Sequence, residues 1–242
     1  SLSLKSLSKK IKPEDPVTIF KDYNGHSILS KFLKAKYKNS KLIFFPHSNH
    51  IFSSNNLNNS VNKKIDATLI VSNKEDVKIF SQSLNVDKVE IVGYPFLSQD
   101  WINEIENLTE NLENNKKKIL LISRSSHKLF FSDKTKSKAL EILLETCCSY
   151  RDVTLYIKAH PREKITNKNL EEYRKKYPGL DIILTNSHLI GISSKVDLIV
   201  SFWSSGILQS LIYDKPVIEL YPPKDIGEDT AFNSEGKITT VY

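Results

Sequence analysis

The 242-residue sequence contains no methionine, only two cysteines and only seven glycines. Cys147 and Cys148 are adjacent within a helical pattern, where the geometry of a disulfide between neighbours is poor. Because there is no other cysteine, a thiolate zinc site and a Cys-x-x-Cys redox motif are excluded. We expect both cysteines to act as small hydrophobic side chains in the interior.

Long apolar segments are also missing from the sequence. No run approaches the roughly 18 apolar residues that a membrane span needs, and no apolar signal segment stands at the N-terminus. The sequence therefore predicts a cytoplasmic protein. Because the chain starts at Ser1 without an initiator methionine, we expect its N-terminal domain to be incomplete.

Positive charge is in excess, since 35 Lys and Arg residues stand against 28 Asp and Glu residues and give a formal net charge of +7. The lysines are spread along the chain, and no RNP, KH or helix-turn-helix signature is present, so we expect no nucleic-acid partner. A cationic surface suits anionic ligands and a peripheral contact with an anionic inner membrane face. A non-catalytic module that binds a nucleotide or a nucleic acid is the alternative hypothesis.

Short β-rich runs alternate with segments of helical spacing along the chain. Apolar runs at residues 41–45, 67–71 and 153–157 are separated by amphipathic stretches such as residues 136–149. This alternation predicts parallel sheets covered by helices. We therefore predict an α/β fold of two Rossmann-like domains with a ligand cleft between them. The expected parts are an N-terminal domain over residues 1–96, a linker helix over 97–118 and a C-terminal domain over 119–242.

In an open parallel sheet, ligands bind beyond the carboxyl ends of the strands. In the second domain, cationic, imidazole and hydroxyl side chains follow three predicted strands at that edge. These candidate phosphate- or nucleotide-binding residues are Ser123, Arg124, Lys158, Pro161, Arg162, Ser201, Ser204, Ser205 and Gly206. A tight turn containing a satisfied histidine and ordinary helix caps would explain single members of this set, but not their recurrence at neighbouring strand ends.

Two short motifs within this set carry the phosphate prediction. Pro161 fixes the turn that holds His160 at a strand end, where the imidazole can donate to a phosphate oxygen and offset charge on a departing nucleoside phosphate. The motif Ser204-Ser205-Gly206 is predicted to open a helix over residues 206–213. Such a helix start would offer free backbone N–H groups and a positive dipole to the same phosphate.

The first half of the chain supplies candidates for a catalytic base. Asp22 and His26 follow one predicted strand, and His47 and His50 follow the next. Any of these groups could accept the proton of an acceptor hydroxyl. Two histidines at this spacing lack an evident third ligand, so we expect no metal and no resident cofactor.

The second half of the sequence resembles the C-terminal domain of GT-B-fold enzymes that build bacterial surface carbohydrates. The resemblance covers roughly residues 67–222 and is carried by His160-Pro161, by Ser204-Ser205 and by Ile91-Val92-Gly93-Tyr94-Pro95 with Trp101. Bacterial sialyltransferases, capsule polymerases and CDP-glycerol glycerophosphotransferases show the most similar patterns. The resemblance implies a glycosyltransferase or polyol-phosphate transferase of capsule, lipopolysaccharide or teichoic-acid type. Its partners would be a nucleotide-sugar donor and a glycan or glycolipid acceptor.

The sequence also departs from these enzymes. Gln209 stands where retaining GT-B enzymes commonly carry a glutamate that holds the ribose, and Asp22-Tyr23-Asn24-Gly25 is only a loose counterpart of the sialyltransferase base motif. A UDP-N-acetylglucosamine 2-epimerase-like enzyme is the alternative within the same fold. Such enzymes share a Lys-Pro-Val strand, which here is Lys215-Pro216-Val217.

Overall fold

The computed structural model describes most of the chain. The residues described are 12, 14, 17–22, 35–37, 39–45, 65–81, 85–112, 115–126, 132–202, 204–220 and 239–241. The chain divides into two compact units, Ser1–Pro95 and Phe96–Tyr242. The boundaries predicted at residues 96 and 118 stay predictions.

The first unit contains a four-stranded parallel sheet in the order β1-β2-β3-β4. Its elements are β1 (Thr18–Asp22), β2 (Lys41–Phe45), β3 (Ile65–Val71), helix α1 (Lys74–Ser81) and β4 (Val86–Ile91). Leu42 and Phe44 alternate with more exposed neighbours along β2, as one face of a strand requires. They pack with residues of β3 and with Phe80 of α1 into the core of this unit.

The second unit contains a six-stranded parallel sheet in the order β10-β9-β8-β5-β6-β7. Its strands are β5 (Lys117–Ile122), β6 (Val153–Lys158), β7 (Asp181–Leu184), β8 (Leu198–Ser201), β9 (Val217–Leu220) and β10 (Thr239–Val241). Its helices are α2 (Gln99–Leu108), α3 (Asp133–Cys148), α4 (Asn167–Lys176), α5 (Leu189–Ser194) and α6 (Ile207–Ser210). Short 3-10 turns span Pro95–Leu97 and Leu211–Tyr213.

The core of the second unit follows from its apolar strands. Residues 153–157 of β6 are all buried, which is typical of a parallel strand covered on both faces. One face packs against α3 and α4 through Leu144 and Leu170. Helix α3 begins where the Ser132 hydroxyl accepts the N–H of Thr135, so the cap lies before the start that the sequence indicates.

Helix α2 packs against α5 within the second unit. A Cβ added to Gly191 of α5 would lie 1.9 Å from Thr109 Oγ1 and 3.1 Å from the carbonyl oxygen of Ile105, so the two helices approach closely at this glycine. The Lys195 ammonium donates to the carbonyl oxygen of Thr109 at the end of α2. The helix expected within the linker is therefore held by side chains of the second unit.

Both sheets are parallel, with α1 between β3 and β4 in the first unit and a helix after each of β5, β6, β7 and β8 in the second, so the predicted α/β class with two such units is confirmed. The ligand cleft expected between the units stays a prediction. In the part of the chain that the structure describes, no helix has the length and apolar character to cross a membrane.

Candidate functional site

Three adjacent strands of the second sheet end in residues that the sequence analysis assigned to phosphate binding. Strand β5 is followed by Ser123, β6 ends at Lys158 and β8 ends at Ser201. The Ser123 N–H donates to the carbonyl oxygen of Lys158 at 2.9 Å, and the Phe202 N–H donates to that of Ile122 at 3.0 Å. Because β8, β5 and β6 are neighbours in the sheet, the fold brings these strand ends to one edge.

His160 lies in a tight turn, and a hydrogen bond within the turn defines the tautomer of its imidazole. The N–H of Glu163 donates to the carbonyl oxygen of His160 at 2.8 Å, which closes a β-turn with Pro161 at its second position. The His160 Nδ1 atom accepts the N–H of Arg162 at 3.1 Å. A neutral imidazole whose Nδ1 accepts carries its proton on Nε2, so the outer nitrogen of His160 is a hydrogen-bond donor.

Burial and positive neighbours favour the neutral form of this imidazole. Burial lowers the pKa of His160 below its ordinary value, Arg162 and Arg124 lower it further, and Glu163 partly opposes them. Burial also lowers the pKa of Arg124, and the charges of Arg162 and Glu163 act on it in opposite directions. An arginine keeps its charge in proteins, so Arg162 in the turn and Arg124 after β5 both act as cations on an imidazole that donates through Nε2.

Glu163 is the residue at this site that the sequence analysis did not identify. Its side chain is 3% exposed and forms an ion pair with Lys136 of α3. One carboxylate oxygen accepts the Ser123 hydroxyl at 2.9 Å, and the other accepts the N–H of His160 at 2.7 Å. A single carboxylate therefore connects the end of β5, the His160 turn and α3. An acidic residue three positions after a histidine in a proline turn was the available signal.

The Glu163 and Lys136 side chains also line a cavity of about 350 Å³ on the side of the sheet covered by α3 and α4. Its floor is apolar and includes Leu121 and Leu140. The volume is at the lower end of the range for ligand pockets. In this cavity Glu163 pairs with Lys136, and Lys164 is a further cation of the lining.

A second imidazole lies near Lys158. The Lys158 ammonium donates to the carbonyl oxygen of Asn186 at 3.1 Å, and burial lowers the pKa of this lysine. The His188 Nδ1 atom accepts the N–H of Ile190 at 3.3 Å at the start of α5. Burial and the charge of Lys158 lower the pKa of His188, and the ring of Trp101 meets this imidazole edge to face.

The structure corrects the role expected for the serines that follow β8. The helix predicted over residues 206–213 is one short α-helical turn followed by a 3-10 turn, and its N-cap is Gly206 without a side-chain cap. The N–H groups of Ile207, Leu208 and Gln209 already donate to carbonyl oxygens three residues earlier. The expected free donors of a helix start are therefore absent from this turn.

The hydroxyl of Ser204 is engaged locally, since it accepts the N–H of Gly206 at 3.3 Å. Ser205 is half-buried beside it. A Cβ on Gly206 would lie 2.8 Å from Leu189 Cδ2 and 3.6 Å from Ile122 Cγ2, so this glycine packs against the end of β5. A ligand at this turn would therefore contact serine hydroxyl groups and not the positive end of a helix dipole.

The candidate bases of the first unit are only partly located. Asp22 is the last residue of β1, while His26, His47 and His50 lie outside the described residues. Their assignments as bases stay predictions. Within the described ranges, no three His, Cys, Asp or Glu side chains are grouped as metal ligands would be, and the expectation of no metal also stays a prediction.

No protein-family model matches the chain, and no curated protein is similar to it. Among solved structures, the chain is similar to the pneumococcal O-GlcNAc transferase GtfA in complex with UDP and GlcNAc. The two share 13% identity with a TM-score of 0.51, over 90% of this chain and 44% of GtfA.

Two other structures were similar at lower TM-scores. Thermosulfurimonas dismutans KpsC, a beta Kdo 2,7 transferase, shares 16% identity over 94% of this chain and 84% of KpsC, with a TM-score of 0.42. Anabaena HepE in complex with UDP-glucose shares 16% identity over 80% of this chain and 56% of HepE, with a TM-score of 0.45. The chain thus spans less than half of GtfA and little more than half of HepE. At these identities the likeness to GtfA shows the fold alone, and the chain's two parallel α/β units are consistent with a GT-B fold.

Proposed function

We propose that this protein is a glycosyltransferase that moves a sugar unit, or a polyol phosphate, from a nucleotide-activated donor to a glycan or glycolipid of the bacterial surface. The observation that carries the proposal is the His160 turn. There, Nδ1 of the imidazole accepts the N–H of Arg162, which leaves Nε2 as a donor, and the charges of Arg162 and Arg124 act on the same imidazole.

This arrangement suits a departing nucleoside phosphate. In the transfer of a sugar, the acceptor hydroxyl oxygen bonds to the anomeric carbon while the bond from that carbon to the phosphate oxygen breaks. Negative charge develops on the departing phosphate, and an N–H donor and fixed cations stabilise that charge more than they stabilise the bound donor. His160 and Arg124 would supply this stabilisation, and Lys158 would contribute a further cation.

The proton of the acceptor hydroxyl needs an acceptor of its own. We assign this role to the first unit, with Asp22, His26 and His47 as the candidates. Asp22 ends β1 at the carboxyl edge of its sheet, which is the edge where ligands of parallel sheets bind. Strand β2 pairs with β1 in parallel and ends at Phe45, two positions before His47 in the sequence.

The fold shared with GtfA supports a nucleotide-sugar donor, because that protein was solved with UDP and GlcNAc. The His160-Pro161 turn supports a donor of the kind used in surface-carbohydrate synthesis. We place the protein in the cytoplasm. Its excess of positive charge, with 35 Lys and Arg against 28 Asp and Glu, favours a peripheral contact with an anionic inner membrane face.

The proposal is tested by measuring nucleotide release from CMP-, CDP- and UDP-activated donors, with and without glycan acceptors. We expect release of nucleotide and growth of an acceptor for one donor class. Incubation with UDP-N-acetylglucosamine alone separates the epimerase alternative, because an epimerase converts this substrate without an acceptor. Epimerisation, or binding of nucleic acid with a steep salt dependence and no response to any donor, would contradict the proposal.

A further inference from the structure

Two buried polar side chains stand side by side where β8 and β9 end. Ser201 and Glu219 are register partners in the parallel sheet, so their Cα atoms lie about 4.8 Å apart and their side chains point to the same face. Both residues are 0% exposed. Neither the Ser201 hydroxyl nor either carboxylate oxygen of Glu219 has a hydrogen-bond partner among the residues that the structure describes.

Leaving such groups without partners is unfavourable. A buried polar group that lacks a hydrogen bond has lost its hydration without compensation, and the loss is larger for a carboxylate. An acid and a hydroxyl that are both buried at the ligand-binding edge of the sheet call for a hydrogen-bond donor, and no residue in the described part of the chain provides one.

The same face leads to the candidate site. Ser201 is the register partner of Ile122, and Ile122 is the register partner of Lys158. One row of side chains therefore runs from the Lys158 cation to the Glu219 carboxylate across neighbouring strands. The backbone at Gly206 lies over this row, since a Cβ there would be 3.6 Å from Ile122 Cγ2. Ser201 is the last residue of β8 and Glu219 the last but one of β9, and the half-buried Ser204, Ser205 and Gly206 follow Ser201 in the chain.

We infer that Ser201 and Glu219 form a hydroxyl-binding subsite, which receives a vicinal diol of the ligand whose phosphate lies against Arg124 and His160. The inference rests on the proposed function, because it takes a nucleotide-activated donor as the ligand. A carboxylate accepts the two hydroxyl protons of a diol, and the serine hydroxyl both accepts and donates. The diol belongs either to the ribose or to the group that is transferred.

The ionisation of Glu219 agrees with this chemistry. Burial raises the pKa of this carboxyl to about 7, so a large part of it is protonated at neutral pH without a ligand. Hydrogen bonds from a diol favour the ionised form. Binding near pH 7 should therefore release a fraction of a proton from Glu219.

The experiment compares affinities by calorimetry in the wild type, Glu219→Gln and Ser201→Ala, with the exposed Glu145→Gln of α3 as the matched control. The ligands are CMP, CDP, UDP and GDP, their 2′-deoxy counterparts and UDP-glucose, each in two buffers that differ in ionisation enthalpy. Circular dichroism and the thermal midpoint establish that each variant is folded. For the ligand that carries the diol, we expect Glu219→Gln to weaken affinity about tenfold or more and to abolish proton release, and Glu145→Gln to change neither.

The ligand panel identifies the source of the diol. If the ribose supplies it, the 2′-deoxynucleotide binds weakly to the wild type and Glu219→Gln has little further effect on it. If the transferred group supplies it, Glu219→Gln weakens UDP-glucose but not UDP. Equal affinities of Glu219→Gln and wild type for every ligand that binds would overturn the inference while leaving the proposed function standing. No binding of any ligand to the wild type would overturn both.

Discussion

The carboxylate of Glu163 accepts the backbone N–H of His160 at 2.7 Å. The same carboxylate binds Ser123 at the end of β5 and Lys136 in α3. The turn that carries the imidazole proposed to stabilise the leaving phosphate is thus held by the buried carboxylate of Glu163 as well as by Pro161. Glu163 acts as a positioning residue, because its own carboxylate is occupied by these three groups.

Removing the charge of Glu163 should weaken both the fold and the site. In Glu163→Gln the Lys136 ammonium loses its partner in a largely buried setting, so we expect the free energy of unfolding to fall by about 3 kcal/mol. Urea unfolding measures this loss. Adding Lys136→Met should restore most of the stability, because no unpaired cation then remains, whereas nucleotide affinity should stay reduced.

The chain offers a matched control for this change. Glu141 and Lys176 form the same kind of pair, but their side chains are about half exposed, and surface pairs contribute little to stability. Glu141→Gln should leave the urea midpoint unchanged. Equal effects of the two Glu→Gln substitutions would show that Glu163 does not organise the His160 turn.

Two substitutions of His160 separate the roles of its nitrogens. Asn can replace the Nδ1 acceptor and keep the turn, but it offers no donor at the Nε2 position, whereas Gln offers a donor there without the acceptor. We expect His160→Asn to fold normally and to lower turnover about 100-fold, as loss of a donor to a developing oxyanion does. His160→Gln should retain more turnover. Near-normal turnover in His160→Asn would rule out the proposed stabilisation of the leaving group.

The pH dependence of stability should show the ionisation of the Glu219 carboxyl group. Its pKa is raised from 4.5 to about 7 in the folded protein, so folding favours the protonated form. This contribution is fully present below pH 4.5 and is lost as pH rises through about 7. The wild type should therefore lose about 3 kcal/mol relative to Glu219→Gln between pH 4.5 and 8. Parallel stability curves of the two proteins, measured by urea unfolding, would contradict a buried ionisable Glu219.

The close approach of α2 and α5 makes Gly191 sensitive to a single methyl group. In Gly191→Ala the new Cβ would overlap Thr109 Oγ1 and crowd the Ile105 carbonyl oxygen, so we expect a loss of about 1–3 kcal/mol. Gly179→Ala is the control, because a Cβ there meets nothing within 4 Å. The thermal midpoint of Gly179→Ala should match or slightly exceed the wild type, and equal midpoints for both variants would contradict the packing described.

Local patterns in the sequence were sufficient for much of the fold. The apolar run in β6 and the spacing of apolar residues in α3 each predict their element. A strand buried on both faces is a continuous apolar run, and a helix buried on one face repeats its apolar residues every three or four positions. The helix predicted over residues 206–213 is α-helical only over Ile207–Ser210 and continues as a 3-10 turn over Leu211–Tyr213. The chain leaves it at Asp214, which has a positive φ of 49°. Strand β10 has only three residues, too few to show the alternation of apolar and polar residues that predicts a strand.

The candidate site was predictable only in part. His160 and Arg124 follow apolar strands, so the rule for ligand binding at strand ends identifies them. Glu163 reaches Ser123 across 40 positions of the sequence, and this contact depends on the alignment of β5 with β6. Glu219 looks like an ordinary polar residue of an alternating strand. Its significance comes from burial beside Ser201, which only the order of strands in the sheet establishes.

The central claim is that the carboxyl edge of β8, β5 and β6 binds a nucleotide. The most direct measurement is the stability of the wild-type protein with saturating CMP, CDP, UDP or GDP. At 100 times its dissociation constant, one of these ligands should stabilise the folded protein by about 2.7 kcal/mol and raise the thermal midpoint. An unchanged midpoint with all four nucleotides would contradict the account.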